Sequence, residues 1–341
     1  MKILFVVLSP FDSNSSAMIR NKALIKGFLD NNHCVEIIAM GSLNNQYSDI
    51  TNSIKHENLT IKEIEAIKTY KTITSKNKGF LGFFKKAILL PFIRYVYHKI
   101  NLYDSSVFLI NKIDKNLYLD KYYDIVISSS DPKTSHIAVD KMISSGLKYG
   151  KWIQYWGDPL AIDITNKTIY PKFYKKYHEE NILENTDKIV YVSPLTLKEQ
   201  KKEFNKFSKI MTWMPIPYMK EKLYKNRDYD FKSIKLGYFG DYKDSVRNIK
   251  NLYDFYIEKK LNLVIAGNSN KKYQQTDNIK IHERLPSADV ERLESEVDVL
   301  VCILNIKGTQ IPGKIYHYAA TNKPILIILD GEFKEDIFRY L

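Results

Sequence analysis

Two Asp-Pro pairs follow apolar runs that read as buried strands: Asp131-Pro132 after residues 124–128, and Asp158-Pro159 after residues 151–155. A carboxylate at the carboxyl end of a strand can accept a proton from an attacking hydroxyl or orient it. An Asp in such a loop can also simply cap the next helix. Asp158 is the stronger catalytic candidate, with Asp131 second. No evident capped helix follows Asp158, and Trp156 beside it offers a ring suited to stacking on a sugar face. His136, in the helix after Asp131, reads as a helix-surface residue rather than a catalyst. In the second half of the chain, Gly240 and Asp241 follow another strand and Arg247 stands at the start of the next helix. A guanidinium there suits a diphosphate. Lys314 falls in the first turn of a helix opened by Pro312 and Gly313, where a cation opposes the helix dipole and points to an anionic ligand, or else is simply solvated.

Other chemistries are disfavoured. There is no GxGxxG or P-loop, and no Cys/His cluster with metal-ligand spacing, so no metal and no organic cofactor are expected. The Asp228–Asp230 stretch has the letters of a DxD metal motif but lies in a linker and follows no strand. The two cysteines, Cys34 and Cys302, cannot form a disulfide framework and read as buried strand thiols in a reducing compartment.

The elements that must position these residues follow a βα rhythm. Residues 2–8 form a continuous apolar run suited to a strand buried on both faces, followed by a Ser/Asn loop (SPFDSNSS), a helical pattern over 17–30 and a strand over 35–40. Ser15 or Ser16 can cap that helix, and its N-terminal amides also favour an anion. Strands at 124–128, 151–155 and 188–192 alternate with helices at 134–145, 170–185 and 194–204. The rhythm restarts with strands at 235–239, 261–266, 279–281, 298–304 and 324–329, and helices at 248–260, 287–296, 312–321 and 332–341. The expected fold class is α/β, with two Rossmann-like doubly wound domains at 1–213 and 232–341, a linker at 214–231, and binding residues where strand ends meet an interdomain cleft. The second domain is short.

The chain has 341 residues, 52 Lys+Arg against 39 Asp+Glu, and a formal charge of +13 with 44% hydrophobic residues. Disorder is excluded by this apolar content, and no run is long enough to span a membrane or read as a secretory leader. Residues 66–123 carry a net +8, whereas 232–341 carry only +2. Within the basic segment, Phe83, Phe84, Lys85, Lys86 and Arg94 belong to an aromatic-rich stretch that suits an anionic bilayer surface, or equally an ordinary buried helix that Pro91 kinks. Nucleic acid is not an expected partner, because charge is the sole argument for it.

Three segments together, MKILFVVLSPFDSNSSAMIRNKALIKGFLDNNHCVEIIA, YDIVISSSDPKTSHIAVDKM with WIQYWGDP, and VDVLVCILNIKGTQIPGKIYHYAATNKPIL, resemble the GT-B glycosyltransferases, specifically family 4 and a bacterial polysaccharide subgroup. The resemblance implies metal-independent transfer, with retention, from a nucleotide diphospho-sugar, UDP- or GDP-linked, held by the C-terminal domain. It implies a glycan or lipid-linked acceptor on the N-terminal domain, for which Ser13, Asn14, Arg20 and Trp156 are candidate contacts. Arg247 and Lys314 match donor-diphosphate positions, with Gly240 beside them, and Glu283 falls where the base is held. The sequence departs from the family at Thr309 and His317, which replace its two glutamates, and at Asn322, which replaces a glycine. His317 can still hydrogen-bond a ribose hydroxyl. The final helix of the family is expected to be missing.

The expectation is a cytoplasmic hexosyltransferase-type enzyme of bacterial surface polysaccharide synthesis, peripheral on the inner membrane face. Its alternatives are a noncatalytic GT-B scaffold for a partner transferase and a GT-B nucleotide-sugar epimerase.

Overall fold

The computed structural model describes residues 1–43, 48, 54–65, 90–163, 166, 168–225 and 233–341. They divide into two compact units, Met1–Met214 and Pro215–Leu341. The expected linker at 214–231 is described as far as residue 225.

In the first unit β1 (Lys2–Pro10) feeds α1 (Ser16–Asp30) and β2 (Cys34–Met40), followed by β3 (Leu59–Ile64) and α2 (Leu90–Ile100). Then come β4 (Tyr122–Ser129), α3 (Thr134–Ser144), β5 (Lys148–Trp156), α4 (Lys172–Leu183), β6 (Lys188–Tyr191), α5 (Pro194–Glu203) and β7 (Met211–Trp213). The strands form one sheet in the order β3-β2-β1-β4-β5-β6-β7, every neighbour parallel. β1 lies inside the sheet, third of seven strands, and Ile3 through Val7 are fully buried, which is why its sequence is a continuous apolar run rather than an alternating one. Strand order reverses between β1 and β4, and the crevice outside their carboxyl ends is where a doubly wound sheet holds a ligand.

β3 and β7 were not legible as elements, whereas α2 falls in the stretch that read as a membrane-facing segment or a buried helix, and it exposes Phe92, Ile93, Tyr95 and Ile100. β3 is an edge strand carrying Lys62 and Glu63, so it lacks an apolar run. Its place beside β2 is reinforced by Glu36 of that strand. Burial alone would raise this carboxyl, but Lys62 at 2.6 Å and Lys121 at 2.9 Å hold its pKa below the ordinary value. Cys34, expected to be buried, opens β2 and is exposed; Cys302 is buried as expected. The first residue of a strand sits at the rim of the sheet, outside the layer that the helices cover.

The second unit contains β8 (Lys235–Phe239), α6 (Lys250–Lys259), β9 (Asn262–Ala266), β10 (Ile279–His282), α7 (Ser287–Glu296), β11 (Val299–Ile303), α8 (Lys314–Ala319), β12 (Ile325–Ile328) and α9 (Lys334–Tyr340). Its parallel sheet has the order β10-β9-β8-β11-β12, so its reversal point lies between β8 and β11. No helix among the described residues is long and apolar enough to cross a membrane.

Candidate functional site

At the first reversal point, the loop after β1 leads into α1. Ser15 caps the helix by accepting the Met18 N–H at 3.2 Å, and Ser13 accepts the Ser15 N–H at 3.2 Å. These hydroxyls satisfy the chain's own donors, the ordinary role of such residues. Asn14 stands between them. The loop after β4 carries Asp131, whose peptide bonds to Ser130 and to Pro132 are both cis. A cavity of about 700 Å³ opens between the two loops, lined by Ser9, Pro10, Asp104, Asp131, Lys133 and Asp163 among others.

Lys133 organises the charge in this cavity. Its ammonium lies 3.0 Å from Asp131 and 2.9 Å from Asp163. Burial works against the ammonium, yet Asp131, Asp163 and Asp158 hold its pKa above the ordinary value. Asp158 is beside this charge cluster without lining the cavity. Burial and the neighbouring carboxylates of Asp131 and Asp163 push it up to about 7, against the opposing pull of Lys133 and Arg20. A carboxyl poised near 7 suits a general base, as catalytic carboxylates tuned by burial and like charge do.

Arg20 ties the two Asp-Pro loops together. It is 4% exposed, donates from Nη2 to the Ser130 carbonyl, and lies over the Tyr155 ring at 4.8 Å. Its Nε has no partner among the described residues. Gly157 donates its N–H to Ser130 Oγ at 2.9 Å, and a Cβ on Gly157 would fall 2.5 Å from Arg20 Nη1. A side chain at 157 would therefore push out the guanidinium.

Two expectations are corrected. His136 is fully buried rather than on the helix surface, because its face of α3 packs on the sheet. Its Nδ1 lies 2.8 Å from Ser128 Oγ, and its ring stacks on Trp156 at 4.3 Å. Burial, then Lys133 and Arg20, push its pKa well below the ordinary value, so the imidazole is neutral. Trp156 is also fully buried, packed with Leu160, Ile182 and Tyr191, and its indole N–H donates to Gln154 Oε1 at 3.0 Å. One face holds His136, so no ring surface remains for a sugar.

In the second unit the site residues gather around the end of β8. A Cβ on Gly240 would lie 2.4 Å from Cε of Lys314, so this lysine crosses directly over the glycine. Among the described residues no carboxylate stands within ion-pairing distance of the Lys314 ammonium. Burial, then Arg247 and Arg284, push its pKa down to about 8, with Glu294 and Cys302 opposing. Arg247 Nε donates to Asn305 Oδ1 at 2.8 Å, and Asn305 Nδ2 donates to the Gln310 carbonyl at 3.1 Å. The loop after β11 thereby fixes the plane of the Arg247 guanidinium. Arg284, at the end of β10, lies 3.2 Å from Asp241, while its neighbour Glu283 is exposed. Thr309 is buried at 3% exposure. Burial, Lys314 and Lys222 push His317 down to about 4, leaving a neutral ring that can donate or accept. Among the described residues no group of three or more His, Cys, Asp or Glu could hold a metal ion.

Phe83, Phe84, Lys85, Lys86 and Asp228–Asp230 lie outside the described residues, as does the side chain of Arg94 in α2. α2 itself exposes Phe92, Ile93, Tyr95 and Ile100. Its end meets the segment before α4: Ile169 donates its N–H to the Lys99 carbonyl at 3.0 Å, and Tyr170 its hydroxyl to the Ile100 carbonyl at 2.9 Å. Ile169, Phe173 and Tyr177 are exposed there too.

Sequence reasoning passed over Asp104, Lys133, Asp163, Arg284 and Asn305. Lys133 stands two residues from Asp131 and Arg284 one residue from Glu283, so proximity to a chosen residue was a usable signal. Asp163 shares the loop after β5 with Asp158 and could have been weighed beside it, whereas Asp104 follows a helix and has no strand before it.

No family model matches the chain, and no curated protein does. Solved structures do. A glycosyltransferase from Rickettsia africae matches at 14% identity and TM-score 0.50 over 97% of this chain and 79% of that one. An α,α-trehalose 6-phosphate synthase from Burkholderia multivorans matches at 11% identity and TM-score 0.53, covering 96% and 83%. A trehalose-6-phosphate structure from E. coli, bound with UDP-2-fluoro glucose, matches at 9% identity and TM-score 0.51, covering 96% and 84%. These neighbours are GT-B glycosyltransferases, and the chain has their α/β fold of two doubly wound domains.

Proposed function

We propose that the protein is a glycosyltransferase of family 4 type, moving a sugar from a UDP- or GDP-linked diphospho-sugar to a hydroxyl of a glycan or lipid-linked acceptor. The observation that carries this reading is Lys314 crossing Gly240 at the end of β8, with Arg247 near enough to act on its ammonium and no carboxylate paired to Lys314 among the described residues. Burial first, and then the guanidinium of Arg247, work against the charge on Lys314, and a bound diphosphate would offset both. As the bond from sugar to diphosphate breaks, negative charge builds on the departing nucleotide, and the fixed guanidinium of Arg247 and the Lys314 ammonium stabilise it without a metal. In the first domain, Asp158 takes the proton of the acceptor hydroxyl, and Asp131, held by Lys133, orients it. The resemblance to family 4 supports retention of configuration.

A bacterial surface polysaccharide is the product class we favour, built by a cytoplasmic protein at the inner membrane face. The exposed apolar side chains of α2 and of the start of α4 support the membrane contact. Isothermal titration with UDP, GDP and their sugars tests the core of the reading. Micromolar to millimolar binding of one nucleotide, lost in Arg247→Ala, is expected; binding of none would end it.

The replacement of two glutamates by Thr309 and His317 favours a second reading, a noncatalytic scaffold for another transferase. Nucleotide binding without transfer to any acceptor, unchanged by Asp158→Asn, would select it.

A further inference from the structure

The first-domain cavity has a charge pattern that the transfer reaction alone does not require. Its walls carry three carboxylates, Asp104, Asp131 and Asp163, against one ammonium, Lys133. That ammonium is already engaged by two of the three, at 3.0 and 2.9 Å. Lys133 is also 9% exposed, so it faces its partners rather than the open volume. His98 is the remaining nitrogen base of the lining. Pro10, Leu43, Leu102 and Pro132, each partly exposed, give the cavity an apolar wall.

From this we infer that the cavity takes an uncharged, hydroxyl-bearing sugar as the glycosyl end of the acceptor, and that it rejects phosphorylated sugars. The inference rests on the transferase reading and names the acceptor class for it. Carboxylate oxygens accept hydrogen bonds from sugar hydroxyls, and charged acceptors make the stronger bonds. Asp131 has an oxygen to offer. Lys133 engages Oδ1, while Oδ2 has no partner among the described residues, and the side chain is 43% exposed. The apolar wall suits the CH face of a pyranose. The volume, about 700 Å³, falls among small-molecule sites, which span roughly 300–1,000 Å³. A phosphate dianion in the same space would meet an excess of like charge with no cation left to pair with it. Lys133 acts as a positioning residue, holding Asp131 and Asp163 while neutralising only part of their charge.

The test compares methyl glycosides of glucose, galactose, mannose and N-acetylglucosamine with the 6-phosphates of the same sugars. Binding to the full chain is read by saturation-transfer NMR at constant ionic strength. At least one methyl glycoside is expected to bind, with its 6-phosphate weaker by about tenfold or more. Asp131→Asn, at a partly exposed position that tolerates an isosteric change, is expected to narrow that gap several-fold, as is Asp163→Asn if it folds. A 6-phosphate binding as tightly as its glycoside, no glycoside binding at all, or a gap unchanged in folded Asp131→Asn would each overturn the inference. Titration of the same samples with UDP and GDP reads the donor reading separately. Loss of nucleotide binding with intact sugar selectivity would sink the transferase and leave the selectivity standing.

Discussion

The side chain of Lys314 lies across Gly240, so closely that a methyl group at 240 would come within 2.4 Å of its Cε. The atom in conflict belongs to a flexible side chain, so Gly240→Ala is expected to fold normally while displacing the ammonium. Nucleotide affinity should fall about tenfold, corresponding to roughly 1.4 kcal/mol. Calorimetric titration beside a thermal melt checks both halves. Unchanged affinity would remove Lys314 from the donor site.

Lys314 also links binding to protons. Burial, Arg247 and Arg284 push its pKa down to about 8, and a bound diphosphate would raise it again. At pH 8 the free protein holds about half a proton on this lysine, so nucleotide binding takes up to about half a proton from buffer. At pH 6.5 the group is already charged and the uptake vanishes. Titrations at pH 8 in buffers of different ionisation enthalpy measure it, and Lys314→Met should abolish it.

Gly157 is predicted to be intolerant of substitution. Its Cβ would fall 2.5 Å from Nη1 of Arg20, a buried guanidinium that already donates to Ser130 and stacks on Tyr155. Gly157→Ala should destabilise the first domain by about 1–3 kcal/mol, the usual cost of overpacking. Urea unfolding measures it. The double variant with Arg20→Ala should recover part of the loss if the clash is the cause.

Two buried acids oppose stability at neutral pH. Burial pushes Glu179 up to about 7, only partly offset by hydrogen bonds from Ala161 and Leu160, and Asp158 sits at about 7 as well. Both folded pKa values lie above the unfolded ones. Their contribution is therefore fully present below about pH 4 and is lost as pH rises through about 7. Glu179→Gln should match the wild type in Tm at pH 4 and exceed it at pH 8. Transferase activity should run the other way if Asp158 is the base, falling as pH drops below about 7. A Tm difference between Glu179→Gln and the wild type that does not grow from pH 4 to pH 8 would contradict the assignment.

Much of the scaffold was legible because parallel strands buried on both faces leave continuous apolar runs. β8 and α7 coincide with the expected 235–239 and 287–296, and β1, β2, β4 and β6 fall within two residues. β3 was missed for the opposite reason: an edge strand with Lys62 and Glu63 has no such run, and its ion pairs with Glu36 depend on a partner strand. Of the site residues, Gly240, Arg247 and Lys314 could be chosen from local position beyond a strand. Trp156 and His136 could not be judged that way, because an indole at the end of a strand faces either the cavity or the helix layer, and only the packing of α3 decides between them.

By itself the sequence determined two doubly wound sheets, the strand ends at which ligands gather, and a cationic pair in the second domain. These follow from periodicity and from position along the chain, which are local properties. Only the tertiary structure decided that Lys133 holds Asp131 to Asp163, that Arg20 locks one Asp-Pro loop against the other, and that Asp158 sits near 7. Each depends on burial and on charges far apart in sequence, and a carboxyl group's proton affinity is set by the atoms around it in space.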